Sequence, residues 1–423
     1  MALVVGTVIG TGVFLKTAPM AQQLPSPGWV LVVWLLAGIL SLSGALTYAE
    51  LAARLPKSGG EYAYLKAGYG EGAAFLYGWM RFWIASPGTI AAYAAGAATF
   101  AFGGSRLAAL ILIAVFVGIN CLRVKTSGGF QTALTALKVI LAYVLAAGIF
   151  KYVNWSDVDL MALGSLNANV SGGSWTWRGF GIAMIAALWA YDGWNNAPMV
   201  AEEIENPSRN LPRALIGGMA LIVVTYAIVN FAYFCALDWN TIVSANSTAY
   251  PDAPAVGTLA AQRMLGEKAG LWLSIAFAIS AVGGMHASIL TSARVPFAMA
   301  RDGLFFRRLA EIHPRTHVPV WSVLTQAIVA VILVMTGTFD QITDYVIFAS
   351  WVFYGLTSSV VFRLQPDYGA EYFRVPRLVP VMFILVSACL IINSLTSGAR
   401  EAIIGVILIA LGWPVYRWLL KQR

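Results

Sequence analysis

The chain has 423 residues, of which 59% are hydrophobic and only 11% charged. A soluble globular protein carries about 25% charged residues, so soluble enzymes, secreted disulfide scaffolds and DNA-binding domains are excluded. The formal charge of +8 invites a nucleic-acid reading, but the distribution of the charges along the chain argues otherwise.

In chain order, hydropathy predicts spans near residues 2–24, 29–53, 75–103, 107–122, 130–152, 179–199, 214–237, 269–293, 318–338, 343–362, 378–397 and 402–419, twelve in all. Val30–Ala49, Leu215–Leu237, Val318–Phe339 and Leu378–Ala399 hold no Asp, Glu, Lys or Arg. Each is close to or above the ~20 residues that a helix needs to cross a hydrocarbon core. In lipid the backbone must satisfy its own polar groups, so these runs are helices and the protein is an all-α polytopic membrane protein. The third, fifth and sixth spans are less clean, with Arg81 near an end, Lys138 inside and Asp192 inside.

With the N-terminus inside, the even-to-odd loops and the C-terminus carry eighteen Lys and Arg against seven on the other side. That bias sets both termini in the cytoplasm of a cell, in its plasma (inner) membrane. The charge is therefore an orientation signal, with a lipid bilayer as partner and no nucleic acid. Met1 opens almost directly onto Val4-Val5-Gly6, which points to an N-terminal truncation or a late start codon. Cys121, Cys235 and Cys389 sit in separate apolar stretches with no metal-ligand spacing, so no metal, cofactor or disulfide framework is expected. Asn154, Asn169 and Asn246 open glycosylation-type triplets that chance also produces.

Two spans are interrupted. The first reads Val5-Gly6-Thr7-Val8-Ile9-Gly10-Thr11-Gly12-Val13-Phe14, and each glycine costs a helix about 1 kcal/mol against Ala. The sixth reads Trp189-Ala190-Tyr191-Asp192-Gly193-Trp194-Asn195-Asn196-Ala197-Pro198. They stand five spans apart, so each opens a five-helix half, and an odd number of spans per half gives the halves opposite orientation. The predicted organisation is a first inverted repeat over 1–153, an outer loop over 154–178, a second repeat over 179–364, and two further spans with a short tail over 365–423. Broken helix ends offer N–H groups to an anion and C=O groups to a cation, which suits a zwitterionic amino acid.

These motifs, with Pro56-Lys-Ser-Gly59-Gly60-Glu61-Tyr62-Ala-Tyr64-Leu65, Glu202-Glu203-Ile-Glu205-Asn206-Pro207 and Ala300-Arg301-Asp302-Gly303, resemble the amino acid–polyamine–organocation transporters. Within them the chain resembles the L-type amino acid transporter family, in a prokaryotic form. The resemblance implies a twelve-helix fold and sodium-independent exchange of amino acids, working by alternating access. The aromatic and neutral pocket side chains it points to favour neutral L-amino acids, and the spans hold no metal cluster or nucleophile–base pair that would suggest an enzyme. By position, the N–H groups around Thr11 and Gly12 would hold the substrate carboxylate, and the carbonyls of Val8, Trp189 and Asp192 the ammonium. Trp189 would gate the outer side. Gly10, Ala190, Asn195 and Ser288 would complete the contacts, and Ser350, Trp351 and Phe353 would shape the side-chain pocket. The outer loop after the third span, Ala101–Arg106, lacks the cysteine that joins animal relatives to a heavy subunit, so no such disulfide-linked partner is expected.

Lys138 lies too deep in the fifth span to snorkel. Its expected partners are carbonyls freed by the broken first helix and the Ser288 hydroxyl. The resemblance makes it the amine that replaces sodium as the coupling group. Asp192 either faces the cavity or caps the second half of helix six, and capping is the preferred reading. His286 is expected to be packed and hydrogen-bonded. Glu202, Glu203 and Glu205, near Arg209 and Arg213, suggest a cytoplasmic gate of ion pairs. A cationic amino acid or polyamine antiporter, with Asp192 holding the second charge, and an amino-acid-binding membrane sensor remain as alternatives.

Overall fold

Because lipid offers the backbone no partners, an apolar chain of this length folds as helices whose polar exceptions are tied to one another. The computed structural model describes the chain except residues 58, 123–126, 157, 159, 161–162, 164–165, 167–174, 365–371, 397–399 and 422–423, and the side chains of 127–131, 269, 400 and 401. Four of the basic residues counted in the charge balance fall here, Arg123, Lys125 and Arg423 outside the described residues and Arg400 by its side chain, and Ser58 and the Asn169 triplet also lie outside them.

Among the described residues every regular element is helical. In chain order they are α1 (Ala2–Val8), α2 (Gly12–Leu15), α3 (Thr17–Ala21), α4 (Pro27–Arg54), α5 (Glu61–Tyr69), α6 (Glu71–Met80), α7 (Ser86–Phe102), α8 (Arg106–Cys121), α9 (Ser127–Tyr152) and α10 (Trp177–Tyr191). There follow α11 (Pro207–Ala236), α12 (Trp239–Val243), α13 (Val256–Leu265), α14 (Glu267–Ser292), α15 (Arg294–Arg301), α16 (Val320–Thr336), α17 (Phe339–Ser359), α18 (Leu378–Thr396), α19 (Arg400–Ala410) and α20 (Gly412–Leu420).

Seven helical stretches among the described residues are long and apolar enough to cross a membrane: Pro27–Arg54, Thr132–Tyr152, Pro207–Ala236, Gly270–Arg301, Phe339–Phe362, Leu378–Thr396 and Ala402–Leu420. The other five expected spans are short or divided. The first breaks between α1 and α2, and a π-helical turn over Arg81–Ala85 divides the third. The sixth ends at Tyr191 and resumes after Gly193 as a 3-10 segment, Trp194–Glu203. The fourth and ninth are single helices of 16 and 17 residues.

Packing joins helices five spans apart in the expected count. α4 lies along α11, α7 along α14 and α8 along α16, and α1 touches the 194–203 segment. The apolar residues buried between these pairs form one continuous core, in which Trp34, Trp194, Tyr48 and Tyr226 are fully enclosed.

Candidate functional site

The break in the first span leaves the carbonyls of Gly6, Thr7, Val8 and Ile9, at the end of α1, without helical partners, as at any helix end. Three side chains from three other helices take them up. Lys138 of α9 donates from Nζ to Gly6 O and Ile9 O, both at 2.9 Å. Tyr93 of α7 donates to Thr7 O at 2.5 Å, and Tyr226 of α11 to Val8 O at 3.1 Å. Lys138 is 2% exposed, so its charge is balanced by these carbonyls and by the negative end of the α1 dipole. The Ser288 hydroxyl is not its partner; that oxygen is buried without a hydrogen bond.

The two breaks are tied together. Thr7 Oγ1 donates to Gly193 O at 3.0 Å, and Tyr226, which meets Val8 O, also meets Ala190 O at 2.9 Å. Gly193 has φ +116°, a conformation that a side chain resists, and a Cβ there would stand 2.8 Å from Thr7 O. Gly12 passes so closely over Ala190 that a Cβ would overlap its backbone, and one at Gly10 would overlap the Tyr93 ring.

Between the breaks lies a narrow cavity of about 10 Å³, room for the centre of about one water molecule. Val8, Thr11, Gly12, Trp189, Asp192 and Ser288 line it, so six of the residues expected at the site come together. Gly10 and Ala190 pack behind it. Asn195 turns away and donates to Glu61 Oε2 at 3.0 Å. Trp351 packs on Phe383 and Tyr354, and Phe353 on Tyr77, while the Ser350 hydroxyl is buried without a partner; none of the three lines the cavity.

The segment after Asp192 opens at Gly193, which has no side chain to cap it, and the Gly193 N–H donates to the Asp192 carboxylate, the first of the N–H groups that the capping reading invoked. The same carboxylate accepts from Tyr354 Oη at 2.6 Å, which ties the second break to α17.

Hydropathy gave no sign of two other groups. Arg81, read as the edge of a span, is 5% exposed, lines the cavity, and donates from Nη2 to Asn196 Oδ1 at 2.8 Å. Glu61 is fully buried and accepts from Tyr48, Tyr77 and Asn195. The signals present were an Arg twelve residues before a cavity tyrosine and a Glu beside two glycines, and neither says that a charge is buried.

Two larger recesses flank the cavity along the same helices. On one side, Lys57, Tyr62, Glu203, Arg294 and Asp302 are among those lining about 550 Å³. On the other, Leu15, Thr99, Arg106, Thr248 and Asp340 are among those lining about 190 Å³. The first recess is crossed by Arg294–Glu203 at 3.1 Å and Lys66–Asp302 at 2.6 Å. Glu203 therefore meets Arg294, whereas Arg209 and Arg213 are exposed on α11, which starts after a left-handed turn at Asn206. Burial pushes the Asp302 carboxyl up, but Lys66 and Tyr62 hold it below its ordinary value. Toward the second recess, Trp189 meets Tyr93 and Phe339 at centroid distances of 6.2 and 6.3 Å. Above them Lys16, 1% exposed, binds Asp340 at 2.7 Å and Thr343 at 2.6 Å. His286 is paired with Asn120 at 2.9 Å.

A sequence profile of the amino acid permease family matches residues 1–410. The chain belongs to the amino acid permease family. This permease is 30% identical, over all of its length and 96% of the relative's, to the serine/threonine exchanger SteT of Bacillus subtilis. It is also 30% identical to the b(0,+)-type amino acid transporter 1 of Rattus norvegicus, over 98% of this chain and 85% of that one. The large neutral amino acids transporter small subunit 2 of Mus musculus is 30% identical over 98% of the permease and 78% of its own length. The permease is thus a multi-pass membrane transporter of the amino acid–polyamine–organocation superfamily and not an enzyme.

Proposed function

We propose that the permease exchanges neutral L-amino acids across the plasma membrane without sodium, by alternating access about the cavity between the two broken helices. The observation that carries this reading is Lys138, whose ammonium holds the Gly6 and Ile9 carbonyls at the first break. A fixed amine there supplies the charge that a bound cation would otherwise bring, and it ties the broken helix to α9. The substrate carboxylate meets the N–H groups of Thr11 and Gly12, and its ammonium meets the carbonyls of Val8, Trp189 and Asp192. Trp189 covers the substrate from the outer side. Gly10 and Ala190 keep the two breaks close, while Asn195, Ser350, Trp351 and Phe353 act from behind the cavity wall when the helices move.

The twelve-span, five-plus-five reading is supported by the packing of helices five spans apart, as expected for two halves related by an axis in the membrane plane. With the halves at 1–153 and 179–364, joined by the outer loop 154–178 and followed by two further spans within 365–423, the basic loops and both termini face the cytoplasm. The loop Ala101–Arg106 has no cysteine, which favours a chain working without a disulfide-linked heavy subunit. The relatives are named for serine and threonine in one case and large neutral amino acids in another, so both names fall within the neutral class.

Counterflow in proteoliposomes loaded with single amino acids tests the reading. Neutral amino acids should exchange with no sodium gradient, and Lys138→Ala should lower the rate by at least about tenfold, because it leaves buried carbonyls unpaired. Wild-type rates in that variant, or uptake of arginine and putrescine in preference to neutral amino acids, would contradict it.

A further inference from the structure

The cavity wall carries polar groups that no protein partner satisfies. The Ser86 and Ser288 hydroxyls, the Thr11 hydroxyl and Arg81 Nε are all buried and unbonded, and each belongs to a residue that lines the cavity. These residues are 5% exposed or less, so water does not repay the missing bonds. Arg81 is held in place by its bond to Asn196, at the π-helical turn that rotates the start of α7 relative to α6. Ser86 opens α7 five residues later. Val8 and Trp189 are the large apolar side chains on the wall, and the residues around them are mostly hydroxyls, amides and charges.

We infer that Arg81, Ser86 and Ser288 form a side-chain subsite that selects amino acids bearing a short hydroxylated side chain. This rests on the exchanger reading and goes one step past it. When the helices part to admit a substrate, with its backbone at Thr11, Gly12 and the facing carbonyls, its side chain extends among these three residues. A hydroxyl accepts from Arg81 Nε–H and donates to a serine oxygen, so it satisfies both kinds of group at once. An alkyl group satisfies neither. A cationic side chain meets the guanidinium, and an anionic one meets the Asp192 carboxylate in the same lining. Sites built around a hydroxyl discriminate strongly against the analogue that lacks it, because their own groups are left unpaired.

The test uses the full chain in proteoliposomes and compares threonine with valine, which share a shape and differ by the hydroxyl. Wild type should take threonine with an apparent affinity at least about tenfold higher than valine. Ser86→Ala, Ser288→Ala and Arg81→Gln should each narrow that ratio to about threefold or less. Since the ratio is measured within one variant, it is insensitive to how much protein folds, and the serine variants carry the test if Arg81→Gln does not fold. Equal handling of threonine and valine by wild type, or an unchanged ratio in the active variants, overturns the subsite while leaving the exchanger standing. A wild type that exchanges no amino acid overturns the exchanger itself.

Discussion

Lys138 and Gly193 do opposite things at the two breaks, and both are fixed by single-residue chemistry. Lys138 reaches the end of a helix and supplies a positive charge and two hydrogen bonds to carbonyls that have no other helical donor. Gly193 supplies nothing but permission: its φ of +116° and the nearness of Thr7 O leave no room for a side chain. Gly193→Ala should therefore destabilise the protein by about 1–3 kcal/mol, the range for strained backbone positions, and lower the thermal midpoint in detergent. An unchanged midpoint would mean that the break can relax. Both residues could be picked out beforehand, one as a charge in an apolar run and the other as a glycine after an aspartate. Arg81 and Glu61 could not, because their partners come from other helices: Asn196 lies 115 residues from Arg81, and Glu61 is held by Tyr48, Tyr77 and Asn195, which are 13, 16 and 134 residues away from it.

At the scale of elements, each recess is bridged by charges that join a broken span to an intact one. Lys16 follows α2 and holds Asp340 at the start of α17, over the Phe339 ring that packs on Trp189. Lys16 is buried and Asp340 is only 16% exposed, so losing one partner leaves a largely desolvated charge without its counter-ion, at a cost of up to about 3–5 kcal/mol. Lys16→Met alone should lower the thermal midpoint strongly, whereas Lys16→Met with Asp340→Leu should recover most of the loss; additive losses would argue against direct coupling. On the other side the Arg294–Glu203 and Lys66–Asp302 pairs are far more exposed, Glu203 at 53%. Exposed pairs contribute about 0–1 kcal/mol, so this latch is the easier one to open. The sequence placed acidic residues at this foot but suggested Arg209 and Arg213 as partners, since neighbours in the chain are all that a charge pattern displays.

At the scale of the whole molecule, the balance of charged loops predicts that both ends and the recess lined by Arg294 and Asp302 face the cytoplasm. Lys421→Cys should then be protected from a membrane-impermeant thiol reagent in right-side-out vesicles, and Arg106→Cys should be labelled, both in a background without native cysteines; the reverse pattern would invert the assignment. Composition and hydropathy alone determined that this is a helical membrane protein and where its two unusual spans break, because the hydrophobic effect and helix-breaking residues act locally along the chain. The family followed from the same motifs. Only the tertiary structure decided which polar groups meet at the cavity. Each residue turns a helix by about 100°, so Ser288 reaches the cavity while Ser350 does not, and hydropathy reads the two alike. The same holds for buried charge: Arg81 is stable inside the molecule because Asn196 comes to it from another helix, and that approach exists only once the chain is folded.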